Sequence, residues 1–517
     1  MDNIKILWAD DEIELLKPQL MFLKRKGYEV TTVSNGYDAI DEFKDYGFDI
    51  VFLDESMPGI TGLETLAEIK KIDSLIPVVM ITKNEAENIM DEALGSQITD
   101  YLIKPVNPTQ ILLTLRKIFE SKRLVREKTK TDYQQEFRKI LTEINSGLNF
   151  REWGEIYKKI IDWELKLDAS NTTAMADILS MQKGEANTEF SKFIVKNYLS
   201  WMSGDGDIPI LSNTLMREKV FPHISETEPT FFLLLDNLRF DQWKIIEPII
   251  SELFVVEEED FFYSILPTST QYSRNSIFSG LMPSEIQEYY PEWWRNDNEE
   301  GGKNMFEANL IKEQLRRTVR KDLRHDYIKV TNTNHAKNLN DNMMNYLNND
   351  ITFIVYNFID MMSHARTEME VLKELAGDET AYRSLTRSWF LHSPLWEALQ
   401  KIAERQVQLI ITTDHGTIRV RQPSKVIGDR ETTANLRYKV GRNLQYDRRD
   451  VLEVRRPDKA KLPTPNVSSS FIFAKEDKFF LYPNNYNYYN NYYKNTFQHG
   501  GISLEEMIIP VIKLYSK

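Results

Sequence analysis

Thr230-Phe231-Phe232-Leu233-Leu234-Leu235 runs apolar and stops on Asp236. A short apolar run closed by a polar residue reads as a strand buried on both faces. Two other runs in the same half of the chain have this form. Phe353-Ile354-Val355-Tyr356 leads to Asp360 and His364, and Leu409-Ile410-Ile411 leads to Asp414-His415. In an open α/β sheet, ligands bind in the crevice beyond the carboxyl ends of the strands, so residues placed there converge on one site. With His499 in the loop His499-Gly500-Gly501, they supply the oxygen and nitrogen ligands that two zinc-like ions require. The chain has no cysteine, so any metal must be held by histidine and carboxylate.

The next segment of interest is Leu266-Pro267-Thr268-Ser269-Thr270-Gln271, followed by Ile277-Phe278-Ser279-Gly280. Hydroxyl residues opening a helix are most often caps. They also lie among free backbone N–H groups at the positive end of the helix dipole, where an anion is stabilised. A hydroxyl held there beside a metal can attack phosphorus. The residues alone leave Thr268, Ser269 and Thr270 open for that role.

The first 121 residues repeat the strand-end pattern on a smaller scale. Lys5-Ile6-Leu7-Trp8 closes on Asp10 and Asp11, Ile50-Val51-Phe52-Leu53 on Asp54, Pro77 through Ile81 on Thr82, and Tyr101-Leu102-Ile103 on Lys104. Helical spacing between them, as in Leu63, Leu66, Ala67 and Ile69, predicts a doubly wound parallel sheet. Three converging carboxylates repel unless a hard cation such as Mg2+ joins them.

Between the two α/β regions, residues 122–205 show helical periodicity: Phe137, Ile140, Leu141 and Ile144, then Ile156, Ile160, Ile161 and Leu165. Breaks fall near Ser146-Gly147, Asp168 through Thr172, and Gly204-Asp205-Gly206. This predicts a helical linker bundle, and the charged, Gly- and Pro-free stretch Ser121–Lys130 predicts that the last helix of the first α/β region runs into it. No compact basic recognition helix marks a helix-turn-helix. A net charge of −13 argues against duplex DNA as a partner. One exception is local: Thr417 to Lys461 holds thirteen Lys/Arg against six Asp/Glu, a solvated face or an electrostatic guide for a polyanion. The N-terminal residues Met1-Asp2-Asn3-Ile4-Lys5 do not read as a secretory signal, and no run approaches a membrane span, so a cytoplasmic protein is expected.

Residues 1–121 resemble the receiver domain of two-component response regulators. The resemblance implies Asp54 as phosphoacceptor, Asp10, Asp11 and Asp54 as the Mg2+ site, Thr82 and Lys104 as readers of the phosphoryl group, and Tyr101 as the aromatic switch. Residues 206–517 resemble the PglZ-type branch of the alkaline phosphatase superfamily. The likeness rests on Asp236, Pro267-Thr268-Ser269-Thr270, Asp360-x3-His364, Asp414-His415-Gly416 and His499-Gly500-Gly501 with Ser503-Leu504-Glu505-Glu506. It implies one zinc on Asp236, Asp414 and His415, a second on Asp360, His364 and His499, and Thr270 as a nucleophile touching both. Mn2+ is the alternative metal for such ligands. The order receiver, helical linker, PglZ domain is similar to that of PorX-type response regulators of type IX secretion. It implies a cognate sensor histidine kinase as phosphoryl donor.

The expected function is a phosphorylation-controlled, zinc-dependent phosphodiesterase, with Thr270 forming a phospho-threonine ester that water then hydrolyses. The Pro-Thr-x-Thr likeness, the basic stretch and the aromatic-Asn run from Tyr482 to Tyr493 favour a nucleotide or oligonucleotide phosphodiester. A phosphomonoester would call for additional charge at the phosphate, for which Arg274 is the nearest candidate in sequence. Phosphorylation at Asp54 is expected to promote a homodimer through the receiver. The alternative is a regulatory scaffold with a structural zinc site, acting through a partner such as a transcription factor or secretion component.

Overall fold

The computed structural model describes residues 4–73, 76–83, 98–170, 173–225, 227–319, 322–362, 378–466 and 468–517. Packing divides the chain into two compact units, Met1–Thr131 and Asp132–Lys517. Among the described residues no helix is long and apolar enough to cross a membrane.

The first unit is a five-stranded parallel sheet: β1 (Lys5–Ala9), β2 (Glu29–Val33), β3 (Ile50–Asp54), β4 (Val78–Thr82) and β5 (Asp100–Ile103), in the order β2-β1-β3-β4-β5. Because successive side chains alternate faces, Ile6 and Trp8 enter one core with Phe52, while Leu7 and Ala9 enter the other with Val51 and Leu53. That is why these strands read as unbroken apolar runs. The helix Gly62–Ile72 begins with a capping box between Thr61 and Glu64. Gly62 sits so near β3 that a Cβ there would lie 2.3 Å from the Asp54 carbonyl oxygen, so a side chain would displace the end of the strand.

A single helix, Pro108–Ile144, follows β5, as the charged stretch predicts. The helices Phe150–Ala169 and Thr173–Ser203 end at the second and third breaks read from the sequence, and the long helix ends at the first. Their buried residues, including Tyr133, Trp153, Ile160, Phe190 and Tyr198, belong to the same core as the sheet that follows. The contact is close: a Cβ at Gly154 would fall 1.9 Å from the ring of Phe261.

The sheet of the second unit has six strands: β6 (Thr230–Leu235), β7 (Phe254–Tyr263), β8 (His325–Val330), β9 (Ile351–Tyr356), β10 (Gln408–Thr412) and β11 (Ile508–Ser516), ordered β7-β11-β10-β6-β9-β8. β10, β6, β9 and β8 are parallel, whereas β11 runs antiparallel to both of its neighbours. β7 therefore shares the direction of the parallel set. The carboxyl ends of β6, β7, β9 and β10 and the start of β11 all lie at one end of the sheet, which brings five separated segments to one place.

Thr417–Lys461 is more structured than a solvated loop. It contains Tyr438–Gly441 and Val451–Val454, which flank Ser470–Ala474 in a three-stranded antiparallel sheet. Arg437 is buried against Glu506 and Lys439 is buried, while Arg442, Arg449, Arg455 and Arg456 pair with acids of the same stretch, so a local excess of basic residues remains. The aromatic run forms the helix Tyr486–Tyr493, with Tyr488 stacked on Tyr492 and Tyr489 on Tyr493.

Candidate functional site

In the first unit, Asp10 and Asp54 are buried and Asp11 is exposed, with one carboxylate oxygen from each within 4.8 Å of the others. Lys104 Nζ lies 2.9 Å from Asp54 Oδ2 and 3.1 Å from Asp10 Oδ2. Burial pushes the Asp54 carboxyl up to about 6, against the pull of the Lys104 hydrogen bond; the nearby Asp10 charge pushes the same way as burial. A cation would relieve that repulsion, so the three carboxylates suit Mg2+. Thr82 ends β4 beside this group, and Tyr101 on β5 is 46% exposed.

The second unit carries a richer cluster. Asp236 follows β6, Asp414 and His415 follow β10, and each offers one ligand atom within 4.8 Å of the others, all three buried. Arg274 Nη1 donates to Asp236 Oδ2 at 2.8 Å, while Asp236 Oδ1 has no hydrogen-bond partner among the described residues. Asp414 Oδ1 accepts from the His415 backbone N–H at 3.1 Å, and its Oδ2 is likewise unpartnered among the described residues. Burying two carboxylate oxygens without donors is costly, and a divalent cation removes that cost. Burial, with the like charge of Asp414 and against the pull of Arg274, raises the Asp236 carboxyl to about 7; burial also raises Asp414. The donor set fits a zinc-like ion.

His415 Nδ1 lies 3.1 Å from the Gly416 carbonyl, the contact that makes Nε2 the lone-pair nitrogen. Nε2 stands 3.9 Å from both Asp236 Oδ1 and Asp414 Oδ2, and 3.1 Å from Thr270 Oγ1. Thr270 is the first residue of the helix Thr270–Ser279; Ser269 stands at the N-cap position, but its hydroxyl makes no capping bond. Thr268 is turned elsewhere: its hydroxyl donates to the Gly501 carbonyl and accepts from the Gly500 N–H, both at 3.0 Å. The hydroxyls of Thr268 and Thr270 therefore have different partners.

Two of the remaining expected ligands, Asp360 and His499, lie beside this group. The His499 ring stacks on that of His415 with centroids 4.2 Å apart. Its Nδ1 lies 3.2 Å from the Thr268 carbonyl, and its Nε2 is 3.9 Å from Asp360 Oδ1. His364 lies outside the described residues.

Arg274, the nearest charged candidate in sequence to Thr270, is already engaged. The residue is 1% exposed, and its guanidinium is held between Asp236, Glu307 (Nε to Oε1, 2.6 Å) and Asn357 (3.3 Å), so it is engaged by these buried groups. Sequence reading also missed Asn237, a buried residue at φ 67° whose Nδ2 donates to Asp360 Oδ1 at 3.4 Å. Asparagine directly after a strand-end aspartate was the available signal, since it tolerates the left-handed region. Glu307, Lys329 and Asn304 form a further layer: Lys329 Nζ lies 2.7 Å from Glu307 Oε2, and Asn304 Nδ2 donates to the Thr270 carbonyl.

Three family models match the chain: a response regulator receiver domain over residues 6–116, the PorX response regulator linker domain over 123–202, and the BREX system PglZ alkaline phosphatase-like domain over 215–514. Among curated relatives, the transcriptional regulatory protein ZraR of Klebsiella oxytoca is 35% identical over 123 residues, 24% of this chain and 28% of that protein. The uncharacterized transcriptional regulatory protein YkoG of Bacillus subtilis is 33% identical over 118 residues, 22% of this chain and 51% of that one. The chain thus spans about half or less of the length of these relatives. Among solved structures, the chemotaxis response regulator CheY4 of Vibrio cholerae is 29% identical, covers 22% of this chain and 98% of its own, and has a TM-score of 0.21. The PglZ match extends over more than half of the sequence and follows the receiver and linker matches in order. The chain belongs to the PglZ alkaline phosphatase-like family and is a PorX-type response regulator.

Proposed function

We propose that the second unit is a two-metal phosphodiesterase whose output is set by phosphorylation of Asp54, and that it serves type IX secretion as the PorX-type architecture implies. The observation that carries the catalytic reading is the placement of Thr270 Oγ1, 3.1 Å from His415 Nε2, beside two buried carboxylate oxygens that accept no hydrogen bond among the described residues. Asp236, Asp414 and His415 would hold one zinc ion. Asp360 and His499 would hold the second, together with His364. When bound, the two ions lower the pKa of a nearby hydroxyl and stabilise charge on the phosphoryl and leaving oxygens.

Thr270 Oγ1 attacks phosphorus in line with the leaving alkoxide; the Oγ–P bond forms, the P–O bond to the leaving group breaks, and water later cleaves the phospho-threonine ester. The chain prepares this step by fixing the hydroxyl. Thr270 opens a helix, so its Oγ1 is near the positive end of the dipole, and Asn304 holds its carbonyl. The engagement of Arg274 with Asp236 and Glu307 supports a diester over a monoester, because that guanidinium is not available to a doubly charged phosphate. A cleft of about 580 Å3 begins at Gln271, next to Thr270, and is walled by Asp297, Lys303, Arg430, Asn435 and Tyr438. It has room for a nucleotide-sized group, which supports a nucleotide or oligonucleotide substrate.

Purified protein assayed on a chromogenic phosphodiester and the matching phosphomonoester, with and without chelator, tests the reading. Chelator-sensitive turnover with the diester preferred is the expected result. Zinc bound but neither ester cleaved would favour a structural zinc site and a scaffold function.

A further inference from the structure

The short helix Leu504–Met507 joins three parts of the second unit that are far apart in sequence. Glu506, fully buried, accepts from the Gly501 N–H at 2.8 Å and from Ser503 Oγ at 2.7 Å, and forms a two-pronged pair with Arg437 at 3.1 and 2.6 Å. Gly501 and Gly500 are bonded to Thr268 Oγ1, and His499 to the Thr268 carbonyl. Glu506 therefore fixes the loop that presents His499.

The same turn reaches the other histidine through backbone. The Gly416 N–H points to the Glu506 carbonyl at 3.4 Å, and a Cβ at Gly416 would fall 2.0 Å from the Glu505 carbonyl oxygen. Only glycine allows this approach, and it sets the position of the residue after His415.

The opposite face of the turn is gripped by the linker helix Thr173–Ser203. Asn187, 4% exposed, donates from Nδ2 to Glu505 Oε2 at 3.0 Å and accepts the Leu504 N–H on Oδ1 at 2.8 Å. Lys183, one turn earlier, lies 3.2 Å from Glu505 Oε1 and 3.1 Å from Glu164 of the helix Phe150–Ala169. Glu505 is thus tied outward to the linker, and its neighbour Glu506 is tied inward to the metal-bearing loops. A buried contact satisfied on both sides transmits displacement because neither partner can let go without leaving a polar group unpaired.

We propose that Asn187 and Lys183 of the linker are positioning residues of the metal site, acting through the Glu505–Glu506 turn on His499 and His415. The inference rests on the metal reading above. It gives the linker helices a direct part in setting the output site, beyond that of a spacer.

The test compares Asn187→Leu, which keeps side-chain size and net charge, with Gln182→Leu. Gln182 is a buried residue of the same helix whose bonds run to Tyr133 and Phe137 and do not touch the turn. Zinc affinity is measured by competition with a chromogenic chelator, and hydrogen exchange is followed in metal-free protein. Asn187→Leu is expected to bind zinc about tenfold or more weakly and to exchange faster at residues 415–416 and 499–506. Gln182→Leu is expected to keep the parent's zinc affinity. The exchange Asn187→Asp with Glu505→Gln reverses donor and acceptor across the contact and is expected to restore binding. Zinc affinity within twofold of the parent in Asn187→Leu, with unchanged exchange in those loops, would overturn the inference while leaving the metal reading intact. A parent protein that binds no zinc would contradict the metal reading itself and the inference with it.

Discussion

Arg274 Nη1 and Asp236 Oδ2 are 2.8 Å apart, both groups buried, and this pairing leaves the second oxygen of Asp236 directed at the cluster that includes Asp414 and His415. The arginine fixes the Asp236 carboxylate and offsets part of the negative charge crowded around it. It is itself held by Glu307, which also accepts from Lys329 and Tyr327.

Removing Arg274 takes the side-chain donor from the buried Asp236 carboxylate, while Glu307 keeps Lys329 and Tyr327, so Arg274→Met should destabilise the metal-free second unit by about 3–5 kcal/mol. Zinc should recover part of that loss by neutralising Asp236. Thermal unfolding with and without zinc checks both effects, and a melting temperature equal to the parent's without zinc would contradict the assigned role.

Lys439 gives a prediction in pH. It is 1% exposed, donates to the Thr433 carbonyl at 2.9 Å and lies over the Tyr482 ring, and burial lowers its pKa from 10.5 to about 7. Between those values the unfolded chain holds a proton that the folded protein lacks, so stability rises with pH across that window, by at most about 1.4 kcal/mol per pH unit. Lys439→Met should flatten that rise. Melting temperatures of both proteins from pH 7 to pH 9.5 provide the comparison, and parallel curves would show that Lys439 does not titrate there.

In the receiver, Asp54 is the expected acceptor, and Lys104 bonds to it at 2.9 Å. Beryllofluoride with Mg2+ should shift the parent toward a dimer in light scattering, while Asp54→Ala should stay at its starting mass. Dimerisation of Asp54→Ala under the same conditions would rule out Asp54 as the trigger.

Strand-end residues were legible because an apolar run closing on a polar residue is a local pattern. Asp10, Asp54, Asp236 and Asp414 could be placed from it without knowing strand order. Contacts between distant segments left no such mark. Asn187 and Glu505 are 318 positions apart, and Arg437 and Glu506 are 69 apart, so nothing near either residue announces the partner. Arg274 shows how sequence proximity misleads. It lies four residues after Thr270, yet the helix Thr270–Ser279 is buried along this stretch, and its guanidinium bonds to Asp236, the residue that follows β6. The basic stretch was legible only in part for a related reason: its net charge is visible in sequence, but the burial of Arg437 and Lys439 is not.

The most direct test of the central claim is the rate of phosphodiester cleavage by zinc-loaded Thr270→Ala beside the parent, with zinc content measured for both. If Thr270 is the nucleophile, the variant should keep its zinc and lose about a thousandfold or more in kcat. Equal zinc content and turnover within a few-fold of the parent would contradict the account.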